Sequence, residues 1–131
     1  ALARLAPWLR PLRPAAWTRQ VPLPGGDLPG GKLAHLLRGV KRRYPFLPSA
    51  LRQRLCRTYG TRIERLLAGA SQLADLGEEV LPGLFAAELR YLSRAEWAVT
   101  AQDILWRRTK LGLHLPADSA ARLSSWLAAH R

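Results

Sequence analysis

From residue 33 onward, leucines and other apolar residues recur at three- and four-residue intervals, cut into short runs by proline and glycine. That combination specifies short amphipathic helices and excludes long ones. Leu33, Leu36, Leu37 and Val40 make one face of a first helix, with Lys41, Arg42 and Arg43 in its last turn, where the macrodipole favours cations. Tyr44-Pro45 stops it, because the residue before a proline is pushed out of the α region. Pro48 and Ser49 open a second helix, with Leu51 and Leu55 inward and Arg52, Arg54 and Arg57 pointing away, and Gly60 is placed as its left-handed cap. Thr61 and Glu64 read as a capping box for a third helix that presents Ile63, Leu66 and Leu67 to the core.

Asp75-Leu76-Gly77 signals a turn, and Leu81, Leu84, Phe85, Leu89 and Leu92 then follow helical spacing. Pro82 is tolerated only in a first helical turn, so the fourth helix is expected to begin there. Thr100 and Asp103 resemble a cap for a fifth helix carrying Ile104 and Leu105 and ending at Lys110 before Gly112. The last helix runs from about Ala117, with Ala120, Leu123 and Leu127 inward and Trp126 at its edge. No stretch sustains a period of two with β-branched residues. The expected fold is all-α, a compact bundle of about six short helices over residues 31–131. Residues 1–30, which hold six of the ten prolines, are expected to be an extended Pro/Gly-rich arm from a preceding domain.

A length of 131 residues fits one domain with a single core. The chain contains no methionine and begins at Ala1, which reads as a fragment of something larger. No run approaches the roughly 18 consecutive apolar residues of a membrane span. The single cysteine, Cys56, lacks an activating motif and reads as a buried structural thiol in a reducing compartment.

The net charge of +12 is one-sided. Residues 1–65 carry 14 Lys or Arg against Asp27 and Glu64, a balance of +12, and residues 66–131 carry seven charges of each sign. Arginine outnumbers lysine by 18 to 3, including places with no basic cluster, which points to a global preference more than to a selected patch. Arg52, Arg54, Arg57, Arg62 and Arg65 flank Gly60 in a superficial likeness to a helix-turn-helix, but one glycine is shorter than that motif's turn. Nucleic acid is therefore disfavoured as a partner, although a free-standing basic module for nucleic acid or anionic membrane stands as the alternative reading.

Chemistry finds little support. His35, His114 and His130 are scattered with no ligand spacing, so no metal site is expected. No nucleophile elbow or phosphate-cradling loop occurs, and Gly25-Gly26 and Gly30-Gly31 lie in the proline-rich arm without a preceding strand. No catalytic and no cofactor-binding residue is assigned. The densest run is Asp103 to Gly112, where Asp103 and Arg107 are oriented for an i,i+4 ion pair and Trp106 offers a large apolar surface. Arg107 and Arg108 point about 100° apart, so one of them is free to reach Glu88, Glu96 or a neighbouring domain. The expectation is a structural ion-pair network at a domain contact, built from Glu88, Glu96, Trp97, Asp103, Trp106, Arg107, Arg108 and Thr109.

Several ordered motifs between Trp17 and Trp126 resemble the C-terminal domain of the bacterial FAD-dependent glycerol-3-phosphate dehydrogenases and the related glycerophosphate oxidases. They are Leu23-Pro24-Gly25-Gly26, Arg43-Tyr44-Pro45-Phe46-Leu47, Thr58-Tyr59-Gly60-Thr61, Asp75-Leu76-Gly77-Glu78, Ala87-Glu88-Leu89-Arg90-Tyr91-Leu92, Glu96-Trp97 and Leu105-Trp106-Arg107-Arg108-Thr109-Lys110. Val80-Leu81 departs from the family's Phe-Gly pair, and Pro82 is an addition. Gly30-Gly31-Lys32-Leu33 resembles a family active-site segment, but it follows Trp17–Gly26 where that segment should precede, so no catalytic role passes to Lys32. The resemblance implies a parent enzyme that moves a hydride from carbon 2 of glycerol 3-phosphate to FAD, yields dihydroxyacetone phosphate and passes electrons to quinone. It implies that this portion holds no FAD and is non-catalytic, with the catalytic FAD domain of the same chain as partner and a second subunit as a further one. It also implies a cytoplasmic location peripheral to the inner face of the bacterial cell membrane.

Overall fold

The computed structural model describes Trp8 and residues 19–130. Among the described residues five α-helices carry most of the fold: α1 (Leu33–Arg43), α2 (Ser49–Tyr59), α3 (Ile63–Leu66), α4 (Ala86–Glu96) and α5 (Ser119–Ala129), with a π-helix over Asp103–Arg108 between α4 and α5. Short 3-10 turns at Pro29–Gly31, Gly60–Arg62, Leu73–Leu76 and Leu111–Leu113 link them. Most of the expected arm, residues 1–7 and 9–18, lies outside the described residues.

The apolar faces meet as the spacing predicts. Leu36 and Val40 of α1, Leu51 and Leu55 of α2, Ile63 of α3, Leu89 and Leu92 of α4, Ile104 and Leu105 of the π-helix and Leu123 and Leu127 of α5 share one core, with Cys56 buried among them. In α5 the inward position before Leu123 is Ser119, while Ala120 faces solvent.

The fourth helix does not begin at Pro82. Glu79–Leu81 forms strand β1, antiparallel to β2 at Leu84–Phe85, with Leu81 opposite Leu84. Pro82-Gly83 makes the turn, Gly83 at φ 73°, a proline-then-glycine order that suits a tight turn needing positive φ at its second central residue. The Gly83 N–H donates to Glu79 Oε1 at 2.7 Å and fixes the turn from inside. Residues 81, 84 and 85 are spaced for a helix face, but a two-residue hairpin buries Leu81 and Leu84 equally well. Helix α4 starts only at Ala86, whose N–H donates to the Glu78 carbonyl at 2.9 Å.

Thr61 and Glu64 do not form a capping box. The Thr61 hydroxyl donates to Asp27 and Glu64 pairs with Arg43 at 3.1 Å, so the chain enters α3 through the Gly60–Arg62 turn instead. The reciprocal arrangement does form at Thr100 and Asp103: the Asp103 N–H donates to Thr100 Oγ1 at 3.1 Å and the Thr100 N–H to the Asp103 carboxylate at 2.9 Å.

Gly60 has the expected positive φ, but its ψ of −136° takes it out of the left-handed helical well into a region open to glycine alone. The cause is a close approach. The Gly25 carbonyl accepts the Thr61 N–H at 3.1 Å, and a Cβ on Gly60 would lie 1.9 Å from that carbonyl oxygen. Residues 25–27 are thereby seated on the α2–α3 junction.

Candidate domain-contact site

Glu88, on the first turn of α4, is 1% exposed. A carboxylate taken out of water must be fully partnered, and here the partners come from α2. Arg54 Nη1 and Nη2 donate to its two oxygens at 2.7 and 2.6 Å, a bidentate fork, and the Tyr59 hydroxyl donates to Oε1 at 2.6 Å. Arg54 Nη2 also donates to the Gly83 carbonyl at 2.5 Å, so one guanidinium ties α2, α4 and the hairpin turn together. Burial alone would lower the Arg54 pKa, but the hydrogen bonds and charge of Glu88 outweigh it and raise it above its usual value. Tyr59 is pushed well above the ordinary phenol range, first by burial and then by the neighbouring Glu88 charge. The Tyr59 ring packs edge-on against Tyr91 at 5.3 Å between centroids.

Of the contacts expected for Arg107 and Arg108, the reach to Glu88 is not made. Glu88 is met by Arg54 and not by Arg107 or Arg108, because those two ride on the π-helix with their side chains in solvent. Arg54, read from spacing as pointing away, curls its guanidinium inward between α2 and α4; its partner is 34 residues distant, beyond the reach of any local pattern.

The segment from Glu96 to Lys110 has its own geometry. Trp97 ends α4 in the left-handed conformation, φ 57° and ψ 28°, and the N–H groups of Trp97 and Ala98 both donate to the Leu92 carbonyl. Trp97 is also 84% exposed. A bulky residue held left-handed is an outlier of about 1–2 kcal/mol, and exposing an indole adds nothing to this domain's own core. Glu96 beside it is half-buried. Asp103 pairs with Arg107 at 2.5 Å as the spacing predicts. The Asp103 carboxylate also accepts the Thr100 and Val99 N–H groups and the Thr100 hydroxyl, which with Arg107 hold its pKa far below the usual carboxylate range, the Thr100 N–H contributing most.

Asp103–Arg108 winds as a π-helix, so the Thr109 N–H reaches back to the Ile104 carbonyl at 2.9 Å, and the Thr109 hydroxyl donates to the same carbonyl at 2.7 Å. Lys110 ends the turn at φ 60°, taking the left-handed position expected nearer Gly112, and its ammonium donates to the Trp106 carbonyl at 2.5 Å. Gly112 serves another purpose: a Cβ there would lie 2.6 Å from the Trp106 ring, which occupies that space and stays 44% exposed. Arg108 is exposed and has no ion-pair partner among the described residues. Trp97 and Lys110, the two non-glycine residues with positive φ among those described, thus bracket a π-helix and two partly bare indoles. Backbone outliers and π-turns cluster where a chain does more than pack.

Among the described residues no group of three or more His, Cys, Asp or Glu is placed to hold a metal. The sheet among the described residues is two short antiparallel strands, without the glycine-rich strand-to-helix turn of a dinucleotide fingerprint. Gly25 packs on the Tyr59 carbonyl and Gly30-Gly31 lie in a 3-10 turn. Residue α3 geometry also removes the helix-turn-helix likeness, since Ile63–Leu66 is a single turn, too short to read a groove.

Fold and site together define a small helical accessory module fastened by the buried Glu88–Arg54–Tyr59 network. Residues 16–127 match the C-terminal domain of alpha-glycerophosphate oxidase, and the chain belongs to that family. It is 44% identical over 127 residues, 97% of its length, to the aerobic glycerol-3-phosphate dehydrogenase of Escherichia coli, and 47% identical over 127 residues to the glycerol-3-phosphate dehydrogenase of Pseudomonas aeruginosa. It is also 39% identical over 110 residues to the D-erythritol 1-phosphate dehydrogenase of Brucella abortus. The chain spans about a quarter of the length of these relatives, 25%, 24% and 22% in that order.

Proposed function

We propose that this chain is the C-terminal accessory domain of an FAD-dependent enzyme that oxidises sn-glycerol 3-phosphate to dihydroxyacetone phosphate, with electrons passed to quinone, and that the domain itself is non-catalytic. The observation that carries the reading is that 97% of the chain aligns with about a quarter of a glycerol-3-phosphate dehydrogenase, and among the described residues its one buried carboxylate, Glu88, is committed to Arg54 and Tyr59. FAD, bound by other segments of such an enzyme, would take the hydride from carbon 2. Residues 1–30 serve as the connection to the preceding catalytic domain, which is the main partner.

The contact is made by the segment bracketed by Trp97 and Lys110. Trp97, Trp106 and Arg108 face the partner, while Glu96, Asp103, Arg107 and Thr109 hold the segment's shape and Glu88 locks α4 beneath it. A bare indole is the side chain most suited to fill a pocket on another surface. No helix among the described residues is long and apolar enough to cross a membrane. The proposed location of the parent enzyme is peripheral, on the inner face of the bacterial cell membrane. The test compares this chain alone with a longer protein that includes it. Alone it is expected to show no flavin absorbance and no glycerol-3-phosphate-dependent dye reduction; in the longer protein, Trp97→Ala with Trp106→Ala lowers the unfolding temperature of the whole more than that of the isolated chain. Turnover by these 131 residues themselves, or equal effects of the double substitution in both settings, refutes the proposal.

A further inference from the structure

Ion pairs leave most of the described cations unclaimed, and three of these share one wall. The pairs among the described residues are Arg43 with Glu64, Arg54 with Glu88 and Arg107 with Asp103. Arg65 of α3 and Arg90 and Arg94 of α4 belong to none of these, yet all three line one concavity of about 390 Å³ where α3, the Leu73–Leu76 turn and α4 meet. Arg90 and Arg94 stand one helical turn apart on the exposed side of α4, a spacing at which like charges repel. The Arg90 guanidinium lies over Gly77, where a Cβ would come within 3.8 Å of it.

The carboxylate in the wall, Asp75, is turned to its own loop and offsets only one of the three charges. It accepts the Ser71 and Gln72 N–H groups at 2.7 and 3.1 Å, the Ser71 hydroxyl at 2.9 Å and the Gln72 side-chain amide at 3.0 Å. Asp27, whose charge Arg65 also feels, is taken up by the Thr61 hydroxyl. Tyr91 lines the same wall, is 8% exposed, and its hydroxyl has no hydrogen-bond partner among the described residues.

We propose that this concavity is a binding site for a phosphate dianion, either inorganic phosphate or a phosphate monoester, gripped by the guanidinium groups of Arg65, Arg90 and Arg94. Three cations against one committed carboxylate leave an excess of two positive charges, which a phosphate dianion balances and a single carboxylate does not. Guanidinium forks match phosphate oxygens in pairs, and low-dielectric walls concentrate the field inside a concavity relative to a flat arginine face.

Titration of the isotope-labelled chain with inorganic phosphate, against chloride at matched ionic strength, tests the site by NMR. Saturable shifts are expected at the side-chain N–H groups of Arg65, Arg90 and Arg94, with affinity at least about tenfold weaker in R90Q/R94Q, each lost charge-assisted contact accounting for about that factor. R38Q/R42Q removes the same charge from exposed positions on α1 and should leave affinity unchanged. Both variants alter exposed side chains, and an unchanged circular dichroism spectrum verifies that they fold. Vesicles carrying phosphatidic acid form a second arm: if only these bind, and R90Q/R94Q abolishes it, the site stands and its phosphate is a lipid headgroup. No saturable response to either probe, equal loss in R38Q/R42Q, or a preference for a polyglutamate peptide over phosphate overturns the assignment, the last marking the arginines as a protein-contact face.

Discussion

Glu88→Ala is the substitution on which the account of this domain is most exposed. The carboxylate is 1% accessible, and the side chains of the pair are 2% and 20% exposed, so solvent screens little of the interaction. Removing it strands the Arg54 guanidinium with only the Gly83 carbonyl, leaves the buried Tyr59 hydroxyl without its acceptor, and opens a void between α2 and α4. Breaking one side of a buried pair in this way is destabilising by about 3–5 kcal/mol, at least about a fifth of the roughly 5–15 kcal/mol that keeps a domain of this size folded. At roughly 4 °C per kcal/mol the melting temperature falls by about 12–20 °C. Urea unfolding of both proteins, followed by circular dichroism, measures the loss from the shift in midpoint. The double variant Arg54→Met with Glu88→Leu carries the second half of the argument. Replacing both charges by apolar groups removes the stranded partner, so it should recover most of what Glu88→Ala loses. A loss below about 1 kcal/mol in Glu88→Ala, or a double variant less stable than the two single losses combined, refutes the view that the network holds these elements together.

Three other perturbations probe separate features. Gly60→Ala places a Cβ 1.9 Å from the Gly25 carbonyl oxygen at a φ/ψ open to glycine alone, so residues 25–27 should lift from the α2–α3 junction with a loss above about 2 kcal/mol, seen as faster proteolysis of that stretch. Trp97→Gly removes the left-handed strain at φ 57° and should stabilise this chain by about 1 kcal/mol; destabilisation in thermal unfolding would mean that the indole packs inside this domain. Asp75, held down to about 2 by the Ser71 N–H first and then the Gln72 and Ser71 side chains, and Asp103, lowered chiefly by the Thr100 N–H, both titrate below their unfolded values. Their contribution is complete above an unfolded pKa of about 3.9 and disappears as pH falls through the folded values. Asp75→Asn with Asp103→Asn should therefore flatten the decline in stability between about pH 4 and pH 2, measured by denaturant midpoints at each pH.

What the sequence determined by itself was local. The leucine and isoleucine positions of the helix faces that reached the core were legible in three- and four-residue spacing, because that periodicity is a property of the backbone and needs no distant partner. The Thr100–Asp103 cap and the Asp103–Arg107 pair were legible for the same reason, each lying within one turn. Motif order was enough to point to the family. The tertiary structure decided everything that depends on what lies opposite. Leu81, Leu84 and Phe85 satisfy a helix and a hairpin alike, and Pro82-Gly83 selects the hairpin, whose turn Arg54 then fastens to α2. Thr61 had a local partner in Glu64, but Asp27 and Arg43 took the two side chains apart. Glu88 was recognisable as a carboxylate that Arg107 or Arg108 could reach, whereas Arg54, read as pointing away, became its partner only when α2 was laid against α4. A buried charge takes whichever partner the packing delivers, and packing is decided by all the helices at once.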